Sequence, residues 1–183
     1  MMRIITGTAR GKQLATLPGN ETRPTSERVK GAIFSSIQFE LAGRRVLDLF
    51  AGSGQMGLEA LSRGAASCTF ADASPDAIAI VKENARRCGF FDLSRFLISD
   101  YRNVIRKAER EAYDLVFIDP PYAMDAAADA VTRILEAGIL RPGALIVTEA
   151  GRPDILPTLP TGLTLRRAAR YSLSHVSLFV WEG

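Results

Sequence analysis

The stretch with the clearest chemistry in this chain is Asp119-Pro120-Pro121-Tyr122. It directly follows Tyr113-Asp114-Leu115-Val116-Phe117-Ile118, an apolar run that reads as a buried strand and so places the tetrapeptide at a sheet edge. Proline pushes the residue before it out of the helical region, which holds Asp119 and Pro120 extended. Neither proline has an N–H, so the turn offers carbonyl oxygens with no neighbouring donor to occupy them. A carboxylate, free carbonyls and an aromatic ring together suit a planar base with an exocyclic amine. The amine hydrogens would go to Asp119 and a proline carbonyl while Tyr122 stacks on the ring. Pro-Pro also occurs in ordinary loops, so the tetrapeptide alone is equally compatible with a plain turn.

A second constellation lies upstream. Asp48-Leu49-Phe50-Ala51-Gly52-Ser53-Gly54-Gln55-Met56-Gly57 follows another apolar run and contains G-x-G-x-x-G at Gly52, Gly54 and Gly57, with Asp72 twenty residues after Gly52. Glycines there let the backbone turn tightly and approach a ligand, and Asp72 can accept ribose hydroxyl hydrogens. That logic serves any adenosine cofactor. Asp48 narrows it, because a carboxylate just before the loop repels a pyrophosphate but attracts an α-ammonium. S-adenosylmethionine carries an ammonium and a sulfonium and no phosphate. It therefore tolerates Asp48, Asp72, Asp100 and Asp119 at successive strand ends, where ligands bind in open α/β sheets. Unrelated caps and turns would account for one or two of these carboxylates more readily than for all four.

The elements that must position these residues follow from periodicity. Arg3–Gly7 and Gln13–Leu17 read as short strands around the turn Ala9-Arg10-Gly11-Lys12, a small basic hairpin. A helix with Thr25 or Ser26 as N-cap presents Val29, Ala32, Ile33 and Ile37 on one face. Strands are expected at Val46–Phe50, Cys68–Ala71, Phe96–Ser99, Leu115–Ile118 and Ala144–Thr148. Helices are expected between them at Met56–Arg63, at Pro75–Cys88 (capped by Ser74 and stopped by Gly89), at Asn103–Glu109 and at Ala126–Ala137. Apolar strands each separated by a helix indicate a parallel sheet covered on both faces. Leu163–Tyr171 and Val176–Trp181 are joined by a short loop and read as an antiparallel pair.

With 183 residues the chain is expected to form a single domain, residues 1–24 being a basic hairpin-and-loop extension and 25–183 the core. No apolar segment reaches the ~20 residues of a membrane span, and no apolar signal core stands at the start. Cys68, Cys88 and the single histidine, His175, form no metal-ligand spacing, which argues against a metal site and fits a reducing cytoplasm. His175 is expected on a strand-pair surface rather than as a catalytic base. The net charge of +3 is unevenly spread: residues 1–45 carry eight Lys/Arg against three Glu, +5, leaving −2 for the rest. Such a basic arm on a slightly acidic body suggests a polyanion docked at one face through Arg3, Arg10, Lys12 and Arg23, with Arg166, Arg167 and Arg170 as a weaker second patch.

Asp48–Gly54 taken with Asp119–Tyr122 resembles the class I, Rossmann-like S-adenosylmethionine-dependent methyltransferases that act on exocyclic amines. Arg3-Ile4-Ile5-Thr6-Gly7, Arg10-Gly11-Lys12, Arg23-Pro24-Thr25, Arg28-Val29-Lys30 and Leu58–Ala65 narrow the likeness to the bacterial small-subunit rRNA guanine-N2 methyltransferase family. The resemblance spans about residues 2–150. It implies a mostly parallel seven-stranded α/β sheet with an antiparallel C-terminal pair, and methyl transfer to N2 of a guanine in 16S rRNA, within a 30S subunit or an assembly intermediate. It makes Asp119, Pro120, Pro121 and Tyr122 the catalytic tetrapeptide. Asp48, Phe50, Ala51, Gly52, Gly54, Asp72 and Asp100 become the cofactor site. Asp72 departs from the glutamate common in relatives, Thr6 stands where glycine is usual, and Gln55-Met56 replaces smaller residues. A DNA adenine-N6 methyltransferase, an NAD-dependent oxidoreductase and a non-catalytic RNA-binding relative remain as alternatives, because adenine's amine also offers two hydrogens and the glycine loop serves nicotinamide cofactors too.

Overall fold

The computed structural model describes residues 2–17, 27–121, 126–153, 155–172 and 174–183. Its strands are β1 (Arg45–Asp48), β2 (Ser67–Asp72), β3 (Ser94–Ile98), β4 (Tyr113–Ile118), β5 (Leu140–Ala150), β6 (Leu163–Tyr171) and β7 (Ser174–Trp181). The helices are α1 (Glu27–Ser36), α2 (Gln55–Ser62), α3 (Pro75–Cys88), α4 (Tyr101–Lys107) and α5 (Ala127–Ala137). The strands form one sheet in the order β3-β2-β1-β4-β5-β7-β6, parallel except for β7, which lies antiparallel between β5 and β6. Among the described residues no helix is long and apolar enough to cross a membrane.

Why the strands read as continuous apolar runs is plain in the packing, since alternate residues face opposite layers and both layers are buried. Val46, Leu115, Phe117, Leu145 and Val147 join the core under α1, α2 and α3. Leu47, Val116, Ile118 and Ile146 join the core under α4 and α5. α3 has the ends its sequence specifies: the Ser74 side chain accepts from the Ala77 N–H, Pro75 opens the helix, and Gly89 closes it at φ 84°. On α1 the buried apolar residues are Val29, Ile33 and Phe34, with Ile37 buried just past its end and Ala32 only half-buried. The N-cap expected at Thr25 or Ser26 lies outside the described residues.

Most boundaries shift by one or two residues from the sequence reading, β1 for instance ending at Asp48 rather than Phe50, and three differences stand out. α4 begins at Tyr101 rather than Asn103, because the Asp100 side chain accepts the Arg102 N–H at 2.9 Å and starts the helix there. β5 reaches back to Leu140, which pairs with Tyr113 before a register shift. The N-terminal hairpin is short: an antiparallel bridge between Arg3 and Gln13, flanked by Leu14 N–H to the Met2 carbonyl (2.9 Å) and Ile4 N–H to the Lys12 carbonyl (3.0 Å).

Residues 2–17 also lie over α2. Ile4, Ala9 and Leu14 enter the first core layer, and every residue of α2 is buried as a result. Polar groups on the outer face of α2 hold the arm's backbone. The Glu59 carboxylate accepts the N–H groups of Ile5 (2.8 Å) and Thr6 (3.0 Å), with Arg63 Nε at 2.8 Å and Lys30 Nζ at 3.4 Å. Ser62 Oγ donates to the Thr6 carbonyl and accepts from the Ala9 N–H. Gly7 allows this approach: at φ +88°, a Cβ there would stand 1.8 Å from the Ser62 carbonyl oxygen. Lys30 and Glu59 are both fully buried, and burial lowers the Lys30 pKa in spite of its partner.

Candidate active site at the carboxyl edge of the sheet

Register places the central carboxylates. Asp48 pairs with Phe70 on β2 and with Phe117 on β4, and two residues beyond these partners Asp72 and Asp119 stand one on each side of the chain that leaves β1. Neighbouring strands lie about 4.8 Å apart, which separates the two flanking chains by roughly 10 Å. The loop 49–54 leaves the sheet between them. Its first residues stay tied to both neighbours, through Leu49 N–H to the Phe117 carbonyl (3.1 Å) and Ala51 N–H to the Ala71 carbonyl (2.9 Å).

The loop then turns sharply. Gly54 is the N-cap of α2 at φ 78° and ψ 14°, a left-handed conformation that favours glycine. Gly57 serves packing: a Cβ there would stand 2.4 Å from Phe70 Cε1 and 2.5 Å from Cys68 Sγ, so α2 could not seat on β2. This is the helix–strand closeness that the last glycine of the fingerprint provides. Phe50 is half-buried at the lip, its ring 5.2 Å from that of Tyr101, and Ala51 is buried beneath it.

Beneath the loop, Asp48 is only 3% exposed, and its Oδ2 accepts the Gly57 N–H at 3.0 Å. Burial pushes its pKa up to about 7; the Gly57 hydrogen bond opposes the rise and the Asp72 charge adds to it. Asp72 is oriented by two backbone donors, Gly52 N–H at Oδ2 and Ser74 N–H at Oδ1, each at 2.9 Å. A carboxylate has about four lone-pair directions, so both oxygens keep capacity for hydroxyl hydrogens. Asp100 stands two residues beyond the β3 partner of Asp72, where it caps α4 and lies 3.7 Å from Arg102. Structural work at backbone N–H groups therefore accounts for part of what Asp48, Asp72 and Asp100 do.

On the other side of the loop Asp119 is half-buried, Pro120 buried and Pro121 exposed; Tyr122 lies outside the described residues. Sequence reading missed Glu149. Ile118 pairs with Thr148, so Glu149 is the next residue on β5 as Asp119 is the next after β4. It is 7% exposed and accepts the Ser174 hydroxyl at 2.6 Å. The signal is a carboxylate closing an apolar run, one residue past the strand that the sequence predicts and inside β5 as it forms.

The basic residues divide. Arg10 is exposed on the turn of the arm. Arg3 makes two hydrogen bonds to Glu27 (3.0 and 3.2 Å), and Lys12 donates to the Arg87 carbonyl at 2.8 Å. Arg23 lies outside the described residues. In the late cluster Arg166 pairs with Glu40 (2.6 Å), Arg167 donates to Ser36 Oγ (2.6 Å) and Arg170 to the Ser172 carbonyl (3.0 Å). Cys68 and Cys88 are buried in the core and His175 is half-buried on β7.

Comparison with known proteins adds to this geometry. The family model described as conserved hypothetical protein 95 matches residues 2–180. A putative rRNA methyltransferase YlbH of Bacillus subtilis is 35% identical over 184 residues, covering 100% of both chains. Ribosomal RNA small subunit methyltransferase D of Haemophilus influenzae is 34% identical over 85% of this chain and 83% of its own. Among solved structures, a putative methyltransferase yhhF from Escherichia coli superposes with a TM-score of 0.88 at 27% identity, over 100% of this chain and 98% of that one.

Proposed function

The chain belongs to the conserved hypothetical protein 95 family and is a methyltransferase, and from that premise we propose that it methylates the exocyclic N2 of a guanine in 16S rRNA. Its cofactor is S-adenosylmethionine, and the residues present suit that molecule. The observation that carries the proposal is the register: Asp72 and Asp119 flank the glycine loop at one level of the carboxyl edge, with buried Asp48 below it. Three carboxylates around the loop form a poor host for a pyrophosphate and a good one for a cation. The family leaves no place for the oxidoreductase alternative.

In this reading Asp48 faces the α-ammonium, Asp72 takes the ribose hydroxyls, and Phe50, Ala51, Gly52 and Gly54 shape the wall between them. Asp100 closes the adenine end while capping α4. The bound cofactor supplies an electrophilic methyl on a sulfonium. Asp119 and the Pro120 carbonyl accept the two amine hydrogens of the guanine. This turns the nitrogen lone pair out of conjugation and towards the methyl, and Asp119 then takes the proton directly or through water. Alignment of this kind can be worth about 7–11 kcal/mol over free encounter. Tyr122 stacks on the base, worth on the order of 1–3 kcal/mol, and Pro121 fixes the turn. A paired guanine cannot reach such an edge, so the substrate base is unpaired or flipped.

Residues 1–183 act as one domain, with the arm holding RNA phosphates, and an rRNA substrate within a 30S particle or its precursor places the reaction in the cytoplasm. Labelled methyl transfer to free 16S rRNA, to 30S particles and to DNA, followed by nucleoside analysis, tests the proposal. Label in N2-methylguanosine from RNA is expected. Label in N6-methyladenine from DNA would replace the guanine reading with the adenine one.

A further inference from the structure

Residues 2–17 and the glycine loop do not pair with each other, yet one buried side chain joins them. Asn84 on α3 is fully buried. Its Nδ2 donates both to the Ala15 carbonyl (3.0 Å) and to the Ser53 carbonyl (2.9 Å), and its Oδ1 accepts the Ala15 N–H (2.8 Å). Towards the arm it therefore behaves as a strand partner, satisfying both backbone groups of Ala15. Towards the loop it holds the carbonyl of the residue between Gly52 (φ 53°) and Gly54 (φ 78°), at the sharpest part of the turn. A second contact runs alongside, from Ser53 Oγ to Met2 Sδ at 3.0 Å.

We propose that Asn84 is a positioning residue that couples the arm to the cofactor loop, so that RNA on the arm and cofactor in the loop each tighten the other's binding. The inference rests on the reading of the loop as the cofactor site and of the arm as an RNA contact. Both hydrogens of one amide are committed, one to each segment. The amide is rigid, so a shift of Ala15 rotates the donor that sets Ser53. Residues flanked by two positive-φ glycines have few other restraints on where their carbonyl points. A segment fixed by one ligand spares the other ligand the entropy of fixing it, and coupling of this kind is reciprocal.

The experiment is equilibrium dialysis of labelled S-adenosylhomocysteine with and without saturating in-vitro-transcribed 16S rRNA, and RNA binding with and without S-adenosylhomocysteine. In the wild-type protein each ligand should tighten the other about fivefold, roughly the net worth of one hydrogen bond. Asn84→Ala should bring the factor to about one. Ala15→Pro removes the N–H that reaches Oδ1 and fixes φ at a half-buried arm position; with urea midpoints read alongside to separate loss of coupling from loss of folding, it should lower the factor while leaving the Asn84–Ser53 bond in place. A wild-type factor of one, or variants that keep the wild-type factor, overturns the coupling while leaving the cofactor site standing. Failure of the wild-type protein to bind S-adenosylhomocysteine at all overturns both.

Discussion

Lowering the pH from 7 to 5 should weaken binding of S-adenosylhomocysteine by as much as about 50-fold, and Asp48→Asn should abolish that dependence. In the unliganded protein burial holds the Asp48 carboxyl at about 7 instead of 3.8, so at pH 5 it is protonated and neutral. An α-ammonium docked against it favours the anion and lowers its pKa. Binding below pH 7 therefore expels a proton, and affinity falls about fivefold over the first pH unit and close to tenfold over the next, until the pKa of the bound state is reached. S-adenosylhomocysteine keeps the ammonium but lacks the sulfonium, so the effect reports on Asp48 and not on the methyl-bearing charge. Asparagine retains an oxygen for the Gly57 N–H and does not titrate, so its affinity should stay flat. Calorimetry in two buffers of different ionisation enthalpy would count close to one proton released per ligand at pH 6. Stability runs the opposite way. A carboxyl with a raised folded-state pKa stabilises the fold fully below its unfolded value and loses that contribution as pH rises through the folded one. The gap from 3.8 to about 7 amounts to roughly 4 kcal/mol at ~1.4 kcal/mol per pH unit. Ligand-free Asp48→Asn should therefore match the wild type near pH 4 and exceed it by up to that amount at pH 8, read from urea midpoints. Wild-type affinity that is constant within twofold between pH 5 and 7, with no proton released, would refute the placement of the ammonium at Asp48.

Three further outcomes follow from named contacts. Asp119→Ala should abolish methyl transfer while S-adenosylhomocysteine affinity stays within about threefold, because in the proposed mechanism Asp119 accepts the amine hydrogens and S-adenosylhomocysteine lacks the sulfonium charge; near-normal turnover in single-turnover assays would remove it from the mechanism. Glu59→Ala leaves Lys30 fully buried without its carboxylate and frees the Ile5 and Thr6 N–H groups, and should cost about 3–5 kcal/mol in urea unfolding; a loss below about 1 kcal/mol would show that the arm is not held there. Deleting the arm to test RNA binding would expose the core that Ile4 and Leu14 complete, so Arg10→Ala is the cleaner perturbation. It should lower the slope of log affinity against log salt by about 1, and an unchanged slope would take Arg10 off the RNA.

What the sequence disclosed and what it hid divide along a physical line. Strands β1, β2, β4 and β5 are buried on both faces, which writes an apolar run into the chain, and the ends of α3 are written in Ser74, Pro75 and Gly89. All these signals are local. The fold of the arm is so only in part, for Arg3 and Ile4 pair locally with Gln13 and Lys12, but the partners of Ile5 and Thr6 are Glu59 and Ser62, more than fifty residues away. A side chain bonding to distant backbone leaves no periodicity, and Glu59 reads as an ordinary surface residue of a helix until something covers it. The same limit explains the carboxylates. An aspartate at a strand's end accepts hydrogen bonds whether the donors belong to a helix N-terminus or to a ligand, so the sequence gives Asp100 and Asp72 the same weight. Register separates them: Asp72 and Asp119 fall level across β1, whereas Asp100 lies beyond the end of β3 with its donor in α4. That leaves Asp100 as the cofactor assignment most open to loss. Asp100→Asn would keep the Arg102 N–H capped and should leave S-adenosylhomocysteine affinity unchanged if capping is its whole role. A tenfold loss in the same variant, with its melting temperature preserved, would return it to the cofactor site.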